Sequence, residues 1–389
     1  MSAFGGKADM TLCGNTLLRS LLGAKRTSLF AAHMSAFDQS GHSTPFHDAG
    51  LSQYDLASLG AKMRRRDFIK VVAGSASWAL TADAQERVAH VGALMVVAET
   101  DPDSQRLASA LETGLAAAGW HKGRNLDLIY RWGASNVDLL SRYAEELVRA
   151  APDILLAFGT PALISLHKAT TTIPIVFAGV SDPVGQGFVA NMSHPGGNLT
   201  GFSNFDPDIG SKWLQLLKDV APSLTHVTIM FNPRTSPYNV ALMQAIKQVA
   251  PGFQVSVSQA SVLSDEDIRN AITRLGTTLG SGLVVPSDPF TYGRTVMVAA
   301  LAVSNKIPAV YAFPPFAHDG GLIAYGVDLA DQLRNAGGYV ARILKGDNPA
   351  NLPIQAPTRY TLVINLKTAK TLGLDIPSPL LVRADEVIE

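Results

Sequence analysis

Three loops of the sequence place a hydroxyl or a carboxylate group beside a proline. They are residues 159–162, 181–184 and 287–290, with the sequences Gly-Thr-Pro-Ala, Ser-Asp-Pro-Val and Ser-Asp-Pro-Phe. Each loop follows an apolar run and precedes a helical segment, so its proline would lie in the first turn of a helix. The free N–H groups and the positive dipole end of a helix N-terminus suit a ligand carboxylate. The alternative is that the hydroxyl groups only cap the helices.

Residues from these loops and from other predicted strand ends form a candidate ligand site. Among its acidic members, Glu99 follows the first apolar run of the chain. Aromatic side chains near strand ends could add stacking surface, although packing in the core or at a rim is the simpler explanation for each one alone. The predicted ligand-binding residues are Thr160, Pro161, Ser181, Asp182, Asp288, Phe290, Tyr311, Phe205 and Glu99.

The sequence contains no pattern that predicts catalysis. Residues 201–204 fail the G-x-S-x-G nucleophile pattern at its last glycine, and no Gly-Lys-Ser/Thr phosphate loop is present. Residues 185–190 match a relaxed dinucleotide fingerprint, but they follow the fourth strand and a proline-containing loop, whereas the fingerprint belongs after the first strand. The histidines show no spacing typical of a metal site, and Cys13 is the only cysteine. We therefore expect neither enzyme activity nor a metal or cofactor.

The composition limits the classes of partner. Lys plus Arg and Asp plus Glu are both 32, so the net charge is zero and a nucleic-acid partner is not expected. No uninterrupted apolar run reaches the roughly 18 residues of a membrane-spanning helix. Charged residues make up 16% of the chain, against about 25% in an average soluble protein. This composition leaves enough apolar residues for a large core.

Apolar runs and amphipathic segments alternate from residue 88 to the C-terminus. The runs at 154–158 and 175–180 are typical of buried parallel strands, and Ser135 is predicted to cap the helix after the second strand. One strand and one helix in roughly every 30 residues predict an α/β fold with parallel sheets covered on both faces. At about 300 residues, we expect two doubly wound parallel-sheet lobes joined by a hinge.

The N-terminal part of the chain differs from the rest. Residues 1–62 lack sustained apolar periodicity, and we expect them to be disordered or to precede the true start codon. Residues 63–84 have the features of a twin-arginine export signal, with Arg65 and Arg66, a weakly apolar stretch and a cleavage site at Ala84. A basic amphipathic helix start is the alternative. We expect cleavage near Ala84 and a mature chain in the periplasm without membrane insertion.

Several motifs occur in an order that resembles one protein family. They are the twin-arginine signal and residues 159–162, 177–184, 195–201, 320–328 and 364–373. Together they resemble the ABC transporter substrate-binding proteins related to the tryptophan- and tyrosine-binding components. The resemblance covers residues 88–389 and leaves residues 1–62 outside.

The resemblance implies the type I periplasmic-binding fold, with two lobes, three crossings and a solute held in the cleft. The implied first lobe contains residues 88–204 and 319–348, and the implied second lobe contains residues 205–318 and 349–365. Residues 366–389 would form a C-terminal helix and tail. In relatives that bind aromatic amino acids, an acidic residue of the second lobe holds the ligand ammonium, and Asp288 occupies the matching place. The alternative is that Asp288 caps the helix that follows it.

We therefore expect a periplasmic solute-binding subunit of an ABC importer, with an amino acid or a similar small carboxylate in the cleft. Its partners would be the permease and ATPase subunits, and the chain would be a monomer. Two alternatives stay open. One is a ligand-sensing periplasmic protein of the same fold that acts with a membrane receptor, and the more remote one is a hydrolase acting in the cleft.

Overall fold

The computed structural model describes residues 87–389, except residues 102, 205 and 207. The expectations for residues 1–62 and 63–84 therefore lie outside the described residues, and so does Phe205. Within the described part of the chain, no helix combines the length and the apolar character needed to cross a membrane.

Lobe 1 is built on a sheet of five parallel strands. In sequence order they are β1 (Ala89–Met95), β2 (Leu126–Trp132), β3 (Ile154–Phe158), β4 (Ile175–Val180) and β5 (Leu199–Ser203), and in space they follow the order β2-β1-β3-β4-β5. The intervening helices are α1 (Ser104–Ala117), α2 (Val137–Arg149) and α3 (Thr160–Ala169). Every residue of β3 and β4 is buried, because helices cover both faces of a parallel sheet.

Lobe 2 is built on a sheet of seven strands. They are β6 (His226–Phe231), β7 (Ser256–Ser261), β8 (Ser281–Val285), β9 (Ala309–Tyr311), β10 (Ile323–Gly326), β11 (Thr361–Asn365) and β12 (Glu386–Ile388), in the spatial order β12-β11-β10-β9-β8-β6-β7. Only the pairing of β10 with β11 is antiparallel among these described strands. The helices that follow β5 in the chain are α4 (Ile209–Val220), α5 (Asn239–Val249), α6 (Asp265–Gly276), α7 (Pro289–Tyr292), α8 (Thr295–Ser304), α9 (Pro314–His318), α10 (Leu329–Leu344), α11 (Leu366–Leu372) and α12 (Ser378–Arg383). The predicted fold class, α/β with two parallel-sheet lobes, is confirmed.

Helix α10 returns to lobe 1 and packs against α1 at very short range. A Cβ atom added to Gly114 would lie 1.9 Å from the carbonyl oxygen of Arg334, and one added to Gly337 would lie 2.8 Å from the carbonyl oxygen of Leu111. The two backbones approach so closely that both positions require glycine. This contact fixes α10 in lobe 1, although the strand just before it belongs to lobe 2.

Two of the expected lobe boundaries are wrong. Residues 323–326 form β10, which pairs with β9 and β11, so the second crossing follows Gly326 rather than residue 318. Residues 349–355 lie against β5 of lobe 1, where Thr200 Oγ1 donates to Leu352 O at 2.7 Å and Gln355 N donates to Gly201 O at 2.9 Å. Lobe membership depends on pairing between distant segments, which a local apolar pattern does not record.

Two local features also differ from expectation. Asn136, not Ser135, caps α2, because its Oδ1 accepts from the backbone N–H groups of Asp138 and Leu139 at 3.0 Å each. Ser135 has a positive φ of 56° and donates from Oγ to the carbonyl oxygen of Pro289 at 3.0 Å, across the cleft. The expected C-terminal tail contains β12, a strand of lobe 2 parallel to β11.

Candidate functional site

A cavity of about 40 Å³ lies in the cleft, where residues that follow β4, β5, β8 and β9 come together. Lobe 1 contributes Ser181 and Asn204, and most of the remaining wall belongs to lobe 2. The other polar lining residues are Asp206, Asn239 and Ser287, and the aromatic ones are Trp213, Tyr238, Phe313 and Tyr360. This volume is enough for a few ordered water molecules. Direct hydrogen bonds join the two lobes here, so the cleft is closed in this structure.

A chain of hydrogen bonds joins the lobes at this cavity. Ser181 Oγ donates to Asn204 Oδ1 at 2.7 Å, and Asn204 Nδ2 donates to Ser287 Oγ at 3.1 Å. The carbonyl oxygen of Ser287 accepts from the Tyr238 hydroxyl at 3.1 Å and from Asn239 Nδ2 at 2.9 Å. Since Ser181 and Asn204 follow strands of lobe 1 and the other three residues belong to lobe 2, these bonds hold the closed cleft together.

Tyr238 is a neutral hydrogen-bond donor within this chain. Burial raises the pKa of its hydroxyl above the ordinary value, and the negative charge of Asp288 raises that pKa further. The hydroxyl also interacts with the side chains of Thr160 and Ser181. Tyr238 therefore stays protonated and connects the lobe 2 wall to the loops that end β3 and β4.

The aromatic wall of the cavity is fixed by contacts behind it. Trp213 Nε1 donates to the carbonyl oxygen of Tyr325 at 2.8 Å, and the rings of Tyr325 and Tyr360 stack with centroids 5.5 Å apart. The Tyr360 hydroxyl donates to Asp206, and burial together with this carboxylate raises the pKa of the hydroxyl. Asp206 is the one charged side chain among the described residues of the lining. The wall thus offers stacking surface beside a single negative charge.

Two of the predicted site loops reach the cavity region. Ser181 lines the cavity, and Thr160 lies directly behind it, with Oγ1 accepting from Ser181 N at 3.1 Å. Pro161 is buried in the first turn of α3, where its carbonyl oxygen accepts from Ser165 Oγ at 3.0 Å. Thr160 and Pro161 therefore shape the loop that supports the cavity rather than form its wall.

The carboxylate of Asp288 is occupied by the protein itself. It accepts hydrogen bonds from Asn232 N at 3.0 Å and Thr235 Oγ1 at 2.5 Å, and from the N–H groups of Phe290 and Thr291 in the first turn of α7. Burial raises the pKa of this carboxyl group, whereas the four hydrogen bonds lower it. Asp288 is 1% exposed and is not among the lining residues. These contacts are those of a helix cap, as in the alternative interpretation.

The structure does not bring the remaining described candidates to the cavity. Asp182 Oδ1 accepts from Gly185 N at 2.9 Å within its own turn, and Glu99 is exposed on the loop after β1. Tyr311 is a strand residue whose ring stacks on Phe316 in the core of lobe 2, with centroids 4.7 Å apart. Phe290 is buried beneath the guanidinium group of Arg294, 3.8 Å from its ring centroid. Turn formation accounts for Asp182 and packing accounts for Tyr311 and Phe290, whereas Glu99 faces the solvent.

Ser181 is the one predicted site residue among the described residues that line the cavity, and the lining residues that were missed include Trp213, Tyr238, Asn239 and Tyr360. Tyr238 and Asn239 lie at the start of α5, after the loop that follows β6. They would have been identified if every loop between a strand and a helix had been considered as a candidate site. Trp213 occurs on the inner face of an amphipathic helix, where the sequence gives no signal that separates a site residue from a core residue.

The lining offers hydroxyl, amide and carboxylate groups for hydrogen bonding and aromatic faces for stacking. In the described ranges, no three His, Cys, Asp or Glu side chains are grouped in a way that could hold a metal ion. This combination of polar groups and aromatic walls in an interlobe cleft is typical of a small-molecule binding site.

Residues 93–388 match the family described as ABC transporter substrate binding protein. The chain belongs to this family. The match includes both lobes and all three crossings. The resemblance inferred from the motifs is confirmed.

Known relatives of this substrate-binding protein have related folds. A tyrosine-binding protein of Clostridioides difficile (strain R20291) is 25% identical over 257 residues, which are 66% of this chain and 73% of that protein. The crystal structure of a conserved domain protein from Vibrio cholerae has a TM-score of 0.72 at 28% identity, covering 77% of this chain and 100% of that one. The ABC domain from Streptococcus pneumonia in complex with L-Trp has a TM-score of 0.71 at 24% identity, with the same coverage. The predicted type I periplasmic-binding-like fold is confirmed.

Proposed function

We propose that this chain is the solute-binding subunit of an ABC importer and that its ligand is an aromatic amino acid. The observation that carries this proposal is the lining of the interlobe cavity. Trp213, Tyr238, Phe313 and Tyr360 supply aromatic surface, and Asp206 supplies the one charge among the described lining residues. Aromatic rings that line a cleft favour a planar apolar side chain as ligand.

The charge of the lining favours a ligand that carries a positive group. Among the described residues that line the cavity there is a carboxylate but no Lys, Arg or His side chain. An anionic ligand would place its charge beside this carboxylate without a cationic partner in the described lining. A zwitterionic amino acid presents an ammonium group, whose charge the Asp206 carboxylate can compensate.

The relatives support the same ligand class. One relative is named a tyrosine-binding protein, and one structure of similar fold is a complex with L-Trp. A cavity that combines four aromatic residues with one carboxylate suits either ligand, since both carry an aromatic ring and an ammonium group.

Ligand capture would couple to the opening and closing of the cleft. Hydrogen bonds between the lobes close the cleft in this structure, so the lobes must separate before the ligand enters. A ligand that bridges both lobes then favours the closed state, because its contacts are complete only there. The closed state would present the ligand to the permease, and the ATPase would drive import from the periplasm. The chain would act as a monomer and as a binding protein rather than an enzyme.

Isothermal calorimetry and thermal unfolding with a ligand panel test this proposal. The panel contains L-Trp, L-Tyr and L-Phe, the aliphatic amino acid L-Leu, the deaminated acid 3-(4-hydroxyphenyl)propanoate, and glucose. We expect an aromatic amino acid to bind most tightly, and at 100 times its dissociation constant to add about 2.7 kcal/mol to the free energy of unfolding. Tighter binding of glucose or of the deaminated acid would contradict the proposed ligand class. Chromatography of the incubated ligands checks for turnover, which would contradict a pure binding role.

A further inference from the structure

Asn239 has an acceptor atom that none of the described residues uses. The residue is 1% exposed and lines the cavity. Its Nδ2 donates to the carbonyl oxygen of Ser287 at 2.9 Å, but within the described part of the chain its Oδ1 has no hydrogen-bond partner. Buried polar atoms are nearly always paired, and an unpaired one lowers the stability of the fold. Because Asn239 belongs to the cavity wall, we expect a molecule in the cavity to donate a hydrogen bond to its Oδ1.

The position of Asn239 is fixed by its surroundings. It is the first residue of α5, and its backbone N–H donates to the carbonyl oxygen of Ser236 at 3.0 Å. The bond from Nδ2 to Ser287 O determines the orientation of the amide, because the opposite orientation would bring two carbonyl oxygens together. The unused oxygen is thus held in one place before a ligand arrives.

Neighbouring donors of the protein are already engaged. The Tyr238 hydroxyl donates to Ser287 O, Ser181 Oγ donates to Asn204 Oδ1, and Asn204 Nδ2 donates to Ser287 Oγ. Satisfying Asn239 Oδ1 from one of these groups would break a bond of the chain that joins the lobes. The donor must therefore come from a molecule in the cavity, which is water in the free protein and the ligand in the complex.

We propose that Asn239 Oδ1 accepts a hydrogen bond from the ammonium group of the ligand. This inference rests on the proposed function, in which the ligand is an amino acid with an aromatic side chain. The sequence suggested Asp288 for this contact, but the Asp288 carboxylate already accepts four hydrogen bonds. The contact is therefore assigned to the neutral amide of Asn239 in lobe 2. The polar residues around Asn239 would hold the backbone groups of the ligand, and the aromatic residues would hold its ring.

The test compares amino acids with their deaminated analogues. Calorimetry measures L-Tyr against 3-(4-hydroxyphenyl)propanoate, and L-Trp against 3-(indol-3-yl)propanoate, on the wild-type protein and on two variants. Asn239→Leu is similar in size but has no acceptor, and we expect it to weaken amino-acid binding by about tenfold or more. It should leave the affinity for the deaminated analogue within about threefold, because that ligand has no ammonium group to lose.

Asn239→Asp provides a second variant with the opposite expectation. It keeps an acceptor at the same place and adds a negative charge, so the preference for the amino acid over its analogue should be kept or increased. The matched control is Asn365→Leu, a buried asparagine away from the cavity whose Nδ2 and Oδ1 are both paired, with Ala317 O and Thr368 N. This control should not change the preference between the two ligands.

The outcomes separate this inference from the proposed function. The inference is overturned if Asn239→Leu loses the same affinity for both ligands, or if Asn239→Asp no longer prefers the amino acid. Either result would show that Asn239 acts only through Ser287, and it would leave the proposed function standing. If the wild-type protein binds no aromatic amino acid, the proposed function is wrong and the inference is overturned with it. Circular dichroism shows whether each variant is folded, and either variant by itself decides the question.

Discussion

The hydroxyl group of Tyr292 in lobe 2 donates a hydrogen bond to the carboxylate of Asp103 in lobe 1. The same carboxylate accepts from Arg106 Nη2 at 3.1 Å, and Arg106 Nη1 donates to Asp328 at the start of α10 at 3.0 Å. The Tyr292 ring also packs edge-on against Phe313, with centroids 5.3 Å apart, and Phe313 lines the ligand cavity. Contact between the lobes is therefore coupled to the wall of the cavity.

Replacing Tyr292 by Phe should weaken ligand binding without altering the cavity. The variant keeps the ring against Phe313 but loses a bond that exists only when the lobes are closed. A hydrogen bond to a charged group contributes about 1.5–3 kcal/mol, so a ligand that requires closure should lose about tenfold or more in affinity. Calorimetry with L-Trp or L-Tyr measures the loss. Tyr143→Phe, in the outer helix α2, is the matched control. If the two variants bind the ligand with equal affinity, the hydrogen bond between Tyr292 and Asp103 does not contribute to closure.

Replacing Asp288 by Asn should lower the stability of lobe 2 more than it lowers ligand affinity. The amide would turn an NH₂ group toward backbone donors that now bind a carboxylate oxygen. One or two unsatisfied buried donors cost about 1–3 kcal/mol of unfolding free energy, which urea denaturation measures. Ligand affinity should change by less than about threefold, because the carboxylate does not line the cavity. A loss of affinity above tenfold with unchanged stability would instead assign Asp288 to the ligand.

The strands of this fold could be predicted closely, since a parallel strand covered on both faces is an uninterrupted apolar run. Residues 154–158 and 175–180 are such runs, and both are strands with those bounds. The edge strand β12 contains Glu386 and is exposed at its start, so it has no such signal. Sheet membership of β10 was also hidden, because it depends on pairing with β11, about 40 residues further along the chain.

The candidate site could be predicted only where local chemistry is distinctive. Ser181 follows a strand end, and that position alone predicts a place at the edge of the sheet where ligands bind. Asp288 has the same local signal, yet its carboxylate turns inward because donors from the loop after β6 surround it. Trp213 and Tyr360 each contact Tyr325, and both contacts join residues that are distant in the sequence. These are tertiary contacts, and no spacing in the sequence encodes them.

Replacing Asp206 by Asn tests the charge of the cavity. The carboxylate is the one charged group of the described lining, so its loss should weaken binding of an aromatic amino acid by about tenfold. The effect should be smaller at high salt, because Asp206 is half-buried and its charge is partly screened. Asp208→Asn is the control, since Asp208 is exposed at the start of α4 and does not line the cavity. If Asp206→Asn binds the ligand with unchanged affinity, this carboxylate does not balance the charge of a ligand ammonium group.

Replacing Arg65 and Arg66 by Lys should prevent export of the chain. A twin-arginine signal requires the guanidinium pair, whereas a general secretory signal requires only positive charge before its apolar stretch. Cell fractionation with immunoblotting should then find the uncleaved precursor in the cytoplasm, while the wild-type chain is cleaved near Ala84 and found in the periplasm. Unchanged export of the double variant would indicate the general secretory route.

Two adjacent glycines of α10 should respond to alanine with opposite signs. A Cβ atom at Gly337 would lie 2.8 Å from backbone atoms of Leu111 and Leu115, and neither backbone can move aside without separating α1 from α10. Gly337→Ala should therefore lower the unfolding free energy by about 1–3 kcal/mol. Gly338 has no atom within 4 Å of the added Cβ, and alanine there should raise stability by about 0.5–1 kcal/mol, since it restricts the unfolded chain and favours the helix. Urea denaturation of both single variants measures the two effects on the same helix. Equal changes of the same sign would contradict the close contact of the two helices and, with it, the attachment of α10 to lobe 1.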